Sequence, residues 1–542
     1  MRIVVGMSGA SGAIYGIRLL EALKDVFSWI LALSPILLVL ILMIGARWSA
    51  ARAGAAGWFL ALGVAVLRFG AGLDLIAFAQ AKAVLLTLDV LYIIWTALLL
   101  FEVANEAGAV NSIGEALPRL TTDRAMQALI MGWAFGSFLQ GVGGFGVPIA
   151  VIAPLMIGLG FAPVDAVVIP SIGHAWSVTF GSLASSFQAL LATTHLPGSE
   201  LAPAAAILLG LTGLGCGAMC AHVAGGWSAV RRVIAPILAI GFAMSAVQYL
   251  LAVVGVWNIA GFGSGMIGLL ASFLLVRWYR TDRASPLTHH APRTGPNAQD
   301  IALALSGYVV LVVITVLVQL VPPVHDFFNQ VVLKIQFPQV RTSLGFVTQA
   351  EAGRPISVFG HAGAILLYTS VIAYAIYARA GRYKSGAKRR IVTATLKGVI
   401  GSSLGIAAMV GTASIMAHAG MTDLLARGLA GSVGAAFQFV SPFIGALGAF
   451  MTGSNTNSNV VFAVLQMRTA QLLSISVPLI LAAQTTGGAI GSVLSPAKVV
   501  VGAGTAGLAG SEGLVMRRMI VYGGLLVLLT GIVTFGAAYV IR

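Results

Sequence analysis

Long apolar runs, separated by short polar or basic segments, dominate the chain. Ten of them read as membrane-spanning helices, near residues 26–46, 54–72, 84–104, 203–223, 233–255, 259–277, 301–322, 361–379, 398–418 and 519–541. A helix needs about 20 apolar residues to cross the hydrocarbon layer. Two further regions, about 126–190 and 430–510, are equally apolar but are interrupted by Gly, Pro, Ser and Asn. They predict broken helices or re-entrant hairpins, because freed backbone groups need partners away from lipid. The pattern as a whole predicts an all-α polytopic membrane protein with about 12–14 transmembrane segments.

Composition agrees and removes alternatives. Of 542 residues, 58% are hydrophobic and 9% are charged, and the mean hydropathy is +0.98. A soluble protein carries roughly 25% charged residues, so neither a water-soluble fold nor a disordered chain fits. Glycine is abundant, with 66 residues, as expected for close helix packing and helix breaks. The net charge of +15 points to membrane topology and not to nucleic acid, because the basic residues concentrate in short loops. Loops 277–293 and 379–390 are the most basic and are expected on the cytoplasmic side of the inner membrane. Cys216 and Cys220 lie four apart in an apolar run and read as packing residues. His289 and His290 have no metal-ligand partners nearby, so no metal site and no cofactor are expected.

The first 25 residues differ from the rest. Met1–Met7 reads as a strand, Ser8–Ala13 as a Gly/Ser turn and Ile14–Val26 as an amphipathic helix. This stretch resembles the opening of flavin prenyltransferases, which hold a flavin phosphate at such a turn. The resemblance implies a flavin-binding enzyme as a remote alternative. One βα unit cannot bury its own strand, so residues 1–25 are read as an orphan fragment ahead of a transporter domain at 26–542.

An internal repeat marks a site. AFGSFLQG (Ala134–Gly141) and ALGAFMTG (Ala446–Gly453) share Ala134/Ala446, Gly136/Gly448, Phe138/Phe450 and Gly141/Gly453, each pair 312 residues apart. Gly181–Ser185 then matches Gly491–Ser495, which places His174 opposite Gln484. The repeat halves are read as about 84–260 and 392–541, in inverted relation. Duplicated halves with matching helix breaks are the signature of secondary transporters. The breaks fall at residues 141–148 and 452–459. Helix N-termini at such breaks present N–H groups and positive dipole ends, which suit a carboxylate.

From about residue 27 to 541 the chain resembles the L-lactate permease family, whose members carry lactate and glycolate with protons. The signatures are FGSFLQGVGGFGVPIAV (Phe135–Val151), IGLGF (Ile157–Phe161), FGSLASS (Phe180–Ser186), FMTGSNTNSNVVF (Phe450–Phe462) and Gly487–Pro496. The resemblance implies paired hairpin tips that hold a carboxylate, with Ser454-Asn455-Thr456 similar to a tip motif. Two positions depart from the family pattern: Gln140 and Asn455 stand where typical members have a glutamate and an aspartate. An amide cannot titrate, so the usual coupling groups are absent.

Intramembrane ionisable groups are then the candidates for coupling. Asp89 and Glu102 lie in the 84–104 run, with Arg68 as a possible ion-pair partner and Glu106 at the interface. His174 titrates near neutrality in water and is the sharper proton-coupling candidate. The expected substrate site comprises Gln140, Gly141, Gly143, Gly144, Phe145 and Gly146 at the first break. At the second it comprises Thr452, Gly453, Ser454, Asn455, Thr456, Asn457 and Asn459. Ser182, Ser185, Gln484, Ser492 and Ser495 form a second tier, and Lys498 supplies positive charge. The function expected is symport of a small monocarboxylate with a proton, by alternating access. Sodium-coupled transport of another organic anion, a sulfonate or a larger carboxylate, remains open because amide and backbone carbonyls bind sodium. The lipid bilayer is the other partner; the oligomeric state is open.

Overall fold

The structure, a computed structural model, describes residues 9–46, 48–144, 146–276, 297–352, 355–508 and 511–540. Twelve helices in it are long and apolar enough to cross a membrane, and a thirteenth candidate is the bent pair Pro163–Ser177 and Gly181–Thr194, which meet at 48°. The ten apolar runs each fall on one of these helices. The N-terminal reading is corrected: Gly9–Ile44 is one helix, so residues 9–13 are its first turns and not a phosphate-binding turn. The strand expected at residues 1–7 lies outside the described residues, as do Phe145 and the loop with His289 and His290.

The order of elements repeats. In the first half a long helix, Leu73–Glu106, is followed by the short helix Ala109–Ala116, a hairpin broken near Gly144, a second broken helix and the long helix Gly198–Arg232. In the second half the series is Ala387–His418, Met421–Val433, the hairpin Phe437–Thr452/Asn455–Leu472, the broken pair Val477–Val493/Pro496–Thr505 and Glu512–Val540. The leading helices end alike: Gly108 and Gly420, again 312 apart, are both left-handed and open the next short helix. A left-handed turn at this point is where glycine avoids the Cβ penalty.

Between residues 323 and 360 a short helix and a long hairpin form a cap. Three antiparallel two-residue ladders nest inside one another: Val332–Leu333 with Ile356–Ser357, Gln336–Phe337 with Glu351–Ala352, and Val340–Arg341 with Val347–Thr348. The Leu73–Glu106 helix packs against Ala362–Arg379 and Ala387–His418, and both broken segments lean on this scaffold.

Small residues decide how close the broken helices come. A Cβ on Gly487 would sit 1.9 Å from the Pro442 carbonyl oxygen, and one on Gly491 would sit 2.0 Å from that of Ala446. Only glycine lets Val477–Val493 lie this tightly on Phe437–Thr452, as small residues do in membrane packing. The approach brings polar side chains of both helices into one dry layer.

Candidate functional site

The second break is built around an asparagine helix. Gly453 turns left-handed (φ 69°) and ends Phe437–Thr452. Ser454 caps the next helix by accepting the Asn457 N–H at 3.3 Å, and Thr452 donates to the Ser454 carbonyl at 3.0 Å. Asn455 and Asn459 are one turn apart and share a face. Asn455 Nδ2 donates to Thr179 Oγ1 at 3.1 Å and Thr485 Oγ1 at 3.3 Å. Asn459 Nδ2 donates to Thr485 Oγ1 and to the Ser186 carbonyl, both at 2.9 Å. Behind them Ser441 donates to Gln466 Oε1, Gln466 Nε2 donates to Gln484 Oε1, and Gln484 Nε2 donates to Ser458 Oγ at 3.0 Å. Such a network is stable in a dry interior because nearly every member has a partner.

The first break lacks a side-chain cap. The Val147–Gly158 helix starts after Gly146 (φ 89°) with Pro148 in its first turn. Gly144 is also left-handed (φ 61°), and a Cβ there would lie 1.7 Å from Ser182 Oγ. Ser182, Leu183 and Ala184 form a left-handed turn, with φ of 46°, 54° and 63°. Each such non-glycine residue costs about 1–2 kcal/mol, so the surrounding packing must hold the turn in place. Gln140 packs against Gly181.

The halves meet here. Thr179 Oγ1 donates to the Thr485 carbonyl at 3.1 Å, and the Ser186 and Thr456 hydroxyls lie 3.1 Å apart. Lys498 Nζ donates to Ser492 Oγ at 3.3 Å, and its stem runs beside Gly146 of the first break. His174 is fully buried; its Nδ1 donates to the Pro170 carbonyl at 2.5 Å.

Around this junction several buried polar atoms have no hydrogen-bond partner among the described residues: Gln140 Oε1, His174 Nε2, Asn455 Oδ1, Thr486 Oγ1 and Ser495 Oγ. Leaving a buried polar group unpaired costs roughly 1–3 kcal/mol. These five atoms lie on the two broken segments.

Several expected members lie elsewhere. Asn457 is on the opposite helix face and lines a small cavity with Pro35, Ile36 and Val39. Glu102 is half-buried on the scaffold helix next to Asn105 and Glu106, away from the network. Glu106 pairs with Arg390 at 2.6 Å. Arg68 donates to the Ser28 hydroxyl at 2.9 Å, and this bond is not the carboxylate pairing considered for it. Asp89 faces His361 at 2.9 Å. Ser185 is buried and directly follows the left-handed segment. The site also uses Thr179, Ser186, Ser458, Gln466, Thr485 and Thr486, which the repeat alone did not single out. The Thr-Thr pair beside Gln484 was the available signal for two of them.

No cluster of three or more His, Cys, Asp or Glu side chains able to hold a metal occurs among the described residues. A cavity of about 900 Å³ lies between Gly198–Arg232 and Glu512–Val540, walled mainly by apolar side chains with His222, Arg517, Arg518 and Tyr522. It is separate from this junction.

The L-lactate permease family model matches residues 28–541. The L-lactate permease of Bacillus subtilis is 29% identical over 541 residues, covering 93% of this chain and 94% of its own. The glycolate permease GlcA of Escherichia coli is 26% identical over 542 residues, covering 95% and 96%. Among solved structures, the YdaH transporter of Alcanivorax borkumensis is similar with a TM-score of 0.47 and 16% identity, over 85% of this chain and 86% of its own. With the family model spanning nearly the whole chain, twelve apolar helices and two broken segments meeting in a polar layer, the chain belongs to the L-lactate permease family and is a multi-pass cell-membrane transporter, not an enzyme.

Proposed function

We propose that the chain carries a small 2-hydroxy monocarboxylate, such as L-lactate or glycolate, together with a proton, by alternating access to the junction of the two broken hairpins. The observation that carries this reading is the set of unpartnered buried polar atoms beside Lys498 and the uncapped start of Val147–Gly158. The Lys498 ammonium and the first N–H groups of that helix bind the carboxylate, combining a charge-assisted hydrogen bond with the helix dipole. Gln140 and Asn455 offer acceptor oxygens, and His174 an acceptor nitrogen, to a 2-hydroxyl group. Ser182 and Ser185, with Ser492 and Ser495, wall the site. The basic loops 277–293 and 379–390 face the cytoplasm in this reading. The names of the relatives support the substrate class.

Two groups within the membrane region are candidates for the coupled proton: His174, enclosed at the centre, and Asp89 on the scaffold helix. One observation favours sodium instead, namely that Gln140 and Asn455 present bare amide oxygens. Uptake of labelled lactate or glycolate into proteoliposomes separates the readings. Accumulation is expected under an imposed pH gradient with sodium replaced by potassium. Accumulation that requires sodium would overturn proton coupling, and no uptake of either acid would overturn the substrate class.

A further inference from the structure

A groove runs along the outside of the bundle where the last helices of the two repeats meet. Gly198–Arg232 and Glu512–Val540 pack antiparallel. The Thr212 and Thr530 hydroxyls lie 3.3 Å apart, and further along the pair His222 Nδ1 and the Tyr522 hydroxyl are hydrogen-bonded at 2.9 Å. Between these helices lies the cavity of about 900 Å³, with Val164 of the bent pair as a third wall. Its size is within the roughly 300–1,000 Å³ of a small-molecule site. Leu514, Val521 and Leu525 line it and are each at least half exposed. They belong to a membrane-spanning helix, so the groove opens sideways onto the bilayer.

The two ends of the groove differ in chemistry. At one end Gly215, Ala218, Met219 and Leu525 supply only apolar surface. At the other, Arg517 and Arg518 line it together with His222, Tyr522 and Trp227. Gly225 and Gly226 break the regular helix there, with φ of 67° at Gly226. Trp227, just past the break, is 68% exposed and sits edge-on to His222 at 4.9 Å. Trp and Tyr are the side chains that settle at the level of lipid headgroups. Arg518 is ion-paired with Asp165, which uses only part of a guanidinium with five N–H donors. Arg517, the next residue, forms no ion pair among the described residues. Two guanidinium groups thus face one carboxylate at the mouth of an apolar channel.

We propose that this groove binds one anionic phospholipid, such as phosphatidylglycerol, with its phosphate on Arg517 and Arg518 and an acyl chain against Val164, Met219, Val521 and Leu525. Arginine holds a phosphate through two parallel N–H···O bonds, and basic pockets between membrane helices are where anionic headgroups dock. A free phosphate meets the arginines but leaves the apolar walls uncovered. A zwitterionic lipid covers the walls but carries a positive charge of its own toward the arginines. An anionic phospholipid matches both ends. Arg231 and Arg232 lie at the same end as Arg517 and Arg518, so by the positive-inside rule the lipid comes from the cytoplasmic leaflet. The walls belong to both repeats, so the seated lipid bridges them and stabilises the folded chain by mass action. The identity of the substrate and of the coupling ion does not enter.

The test uses the full chain in detergent and reads its Tm as phosphatidylglycerol, phosphatidylcholine with the same acyl chains, or glycerol phosphate is added. Phosphatidylglycerol is expected to raise the Tm by a few degrees, and the other two to leave it nearly unchanged. Arg517→Gln is expected to raise the phosphatidylglycerol concentration at half the shift about tenfold, the scale of a lost charge-assisted bond. Ala218→Phe fills the groove while keeping both arginines and is expected to abolish the shift. If that variant does not fold, Arg517→Gln, at an exposed position, decides alone. Equal shifts from the two lipids mean an unselective lipid annulus and overturn the proposal. A shift from glycerol phosphate as large as that from phosphatidylglycerol overturns it in favour of a soluble-phosphate site. Arg517→Gln with an unchanged half-shift concentration overturns it as well.

Discussion

At the second break the chain supplies its own support: Ser454 caps the Asn455–Leu472 helix, and Asn455 and Asn459 tie it to Thr485 and to the other half. At the first break, Gly146 leaves the Val147–Gly158 helix without a side-chain cap, and Ser182, the first of three left-handed residues, is pressed against Gly144. One sequence pattern has diverged into a side-chain-capped tip and an uncapped, strained one. Backbone strain collects where a ligand or a moving part can relieve it, so the first tip is the one expected to respond to substrate.

The largest expected effect separates the tips directly. Gly144→Ala places a methyl 1.7 Å from Ser182 Oγ, whereas Gly453→Ala finds nothing closer than 3.4 Å, and both pay a similar left-handed penalty. Uptake should fall at least about 100-fold for the first and less than about tenfold for the second, at equal reconstituted protein. Equal losses would erase the distinction. Next, Lys498→Met should raise the KM for lactate or glycolate about tenfold or more, the scale of a lost charge-assisted bond, with Lys498→Arg intermediate; an unchanged KM would place the carboxylate elsewhere.

Smaller effects probe the capped tip. Asn459→Ala removes two donated hydrogen bonds and should destabilise the protein by ~1–3 kcal/mol, seen as a lower Tm in detergent. Asn457→Ala deletes an unpartnered oxygen on the far face and should leave the Tm nearly unchanged; the reverse order would mean the two faces are misassigned. Ser454→Ala should cost about 1 kcal/mol through the lost cap, again read as Tm, with transport largely kept.

Much of the fold was legible because its signals are local. An apolar run either spans a bilayer or does not, and Gly, Pro and Asn interruptions mark breaks wherever the helix lies. The repeat offset also carried through to Gly108 and Gly420, which short-motif matching had left out. The second-tip asparagines Asn455 and Asn459 and their partner Gln484 were legible through the repeat. Asn457 was not separated from them, since its opposite helix face follows from the register set by Ser454. The partners Thr179, Thr485 and Gln466 were hidden because hydroxyl and amide side chains carry little signal of their own inside apolar helices.

The sequence by itself determined that this is a polytopic membrane chain with two related, Gly- and Asn-rich helix breaks. Those statements depend on hydropathy, spacing and residue identity alone. Only the tertiary structure decided that the first tip is strained, that Lys498 from one half reaches Gly146 of the other, and that Asp89 has His361 as its partner. Contacts between residues hundreds of positions apart leave no periodicity in a single chain; they exist only once glycine-mediated helix packing has fixed which faces meet.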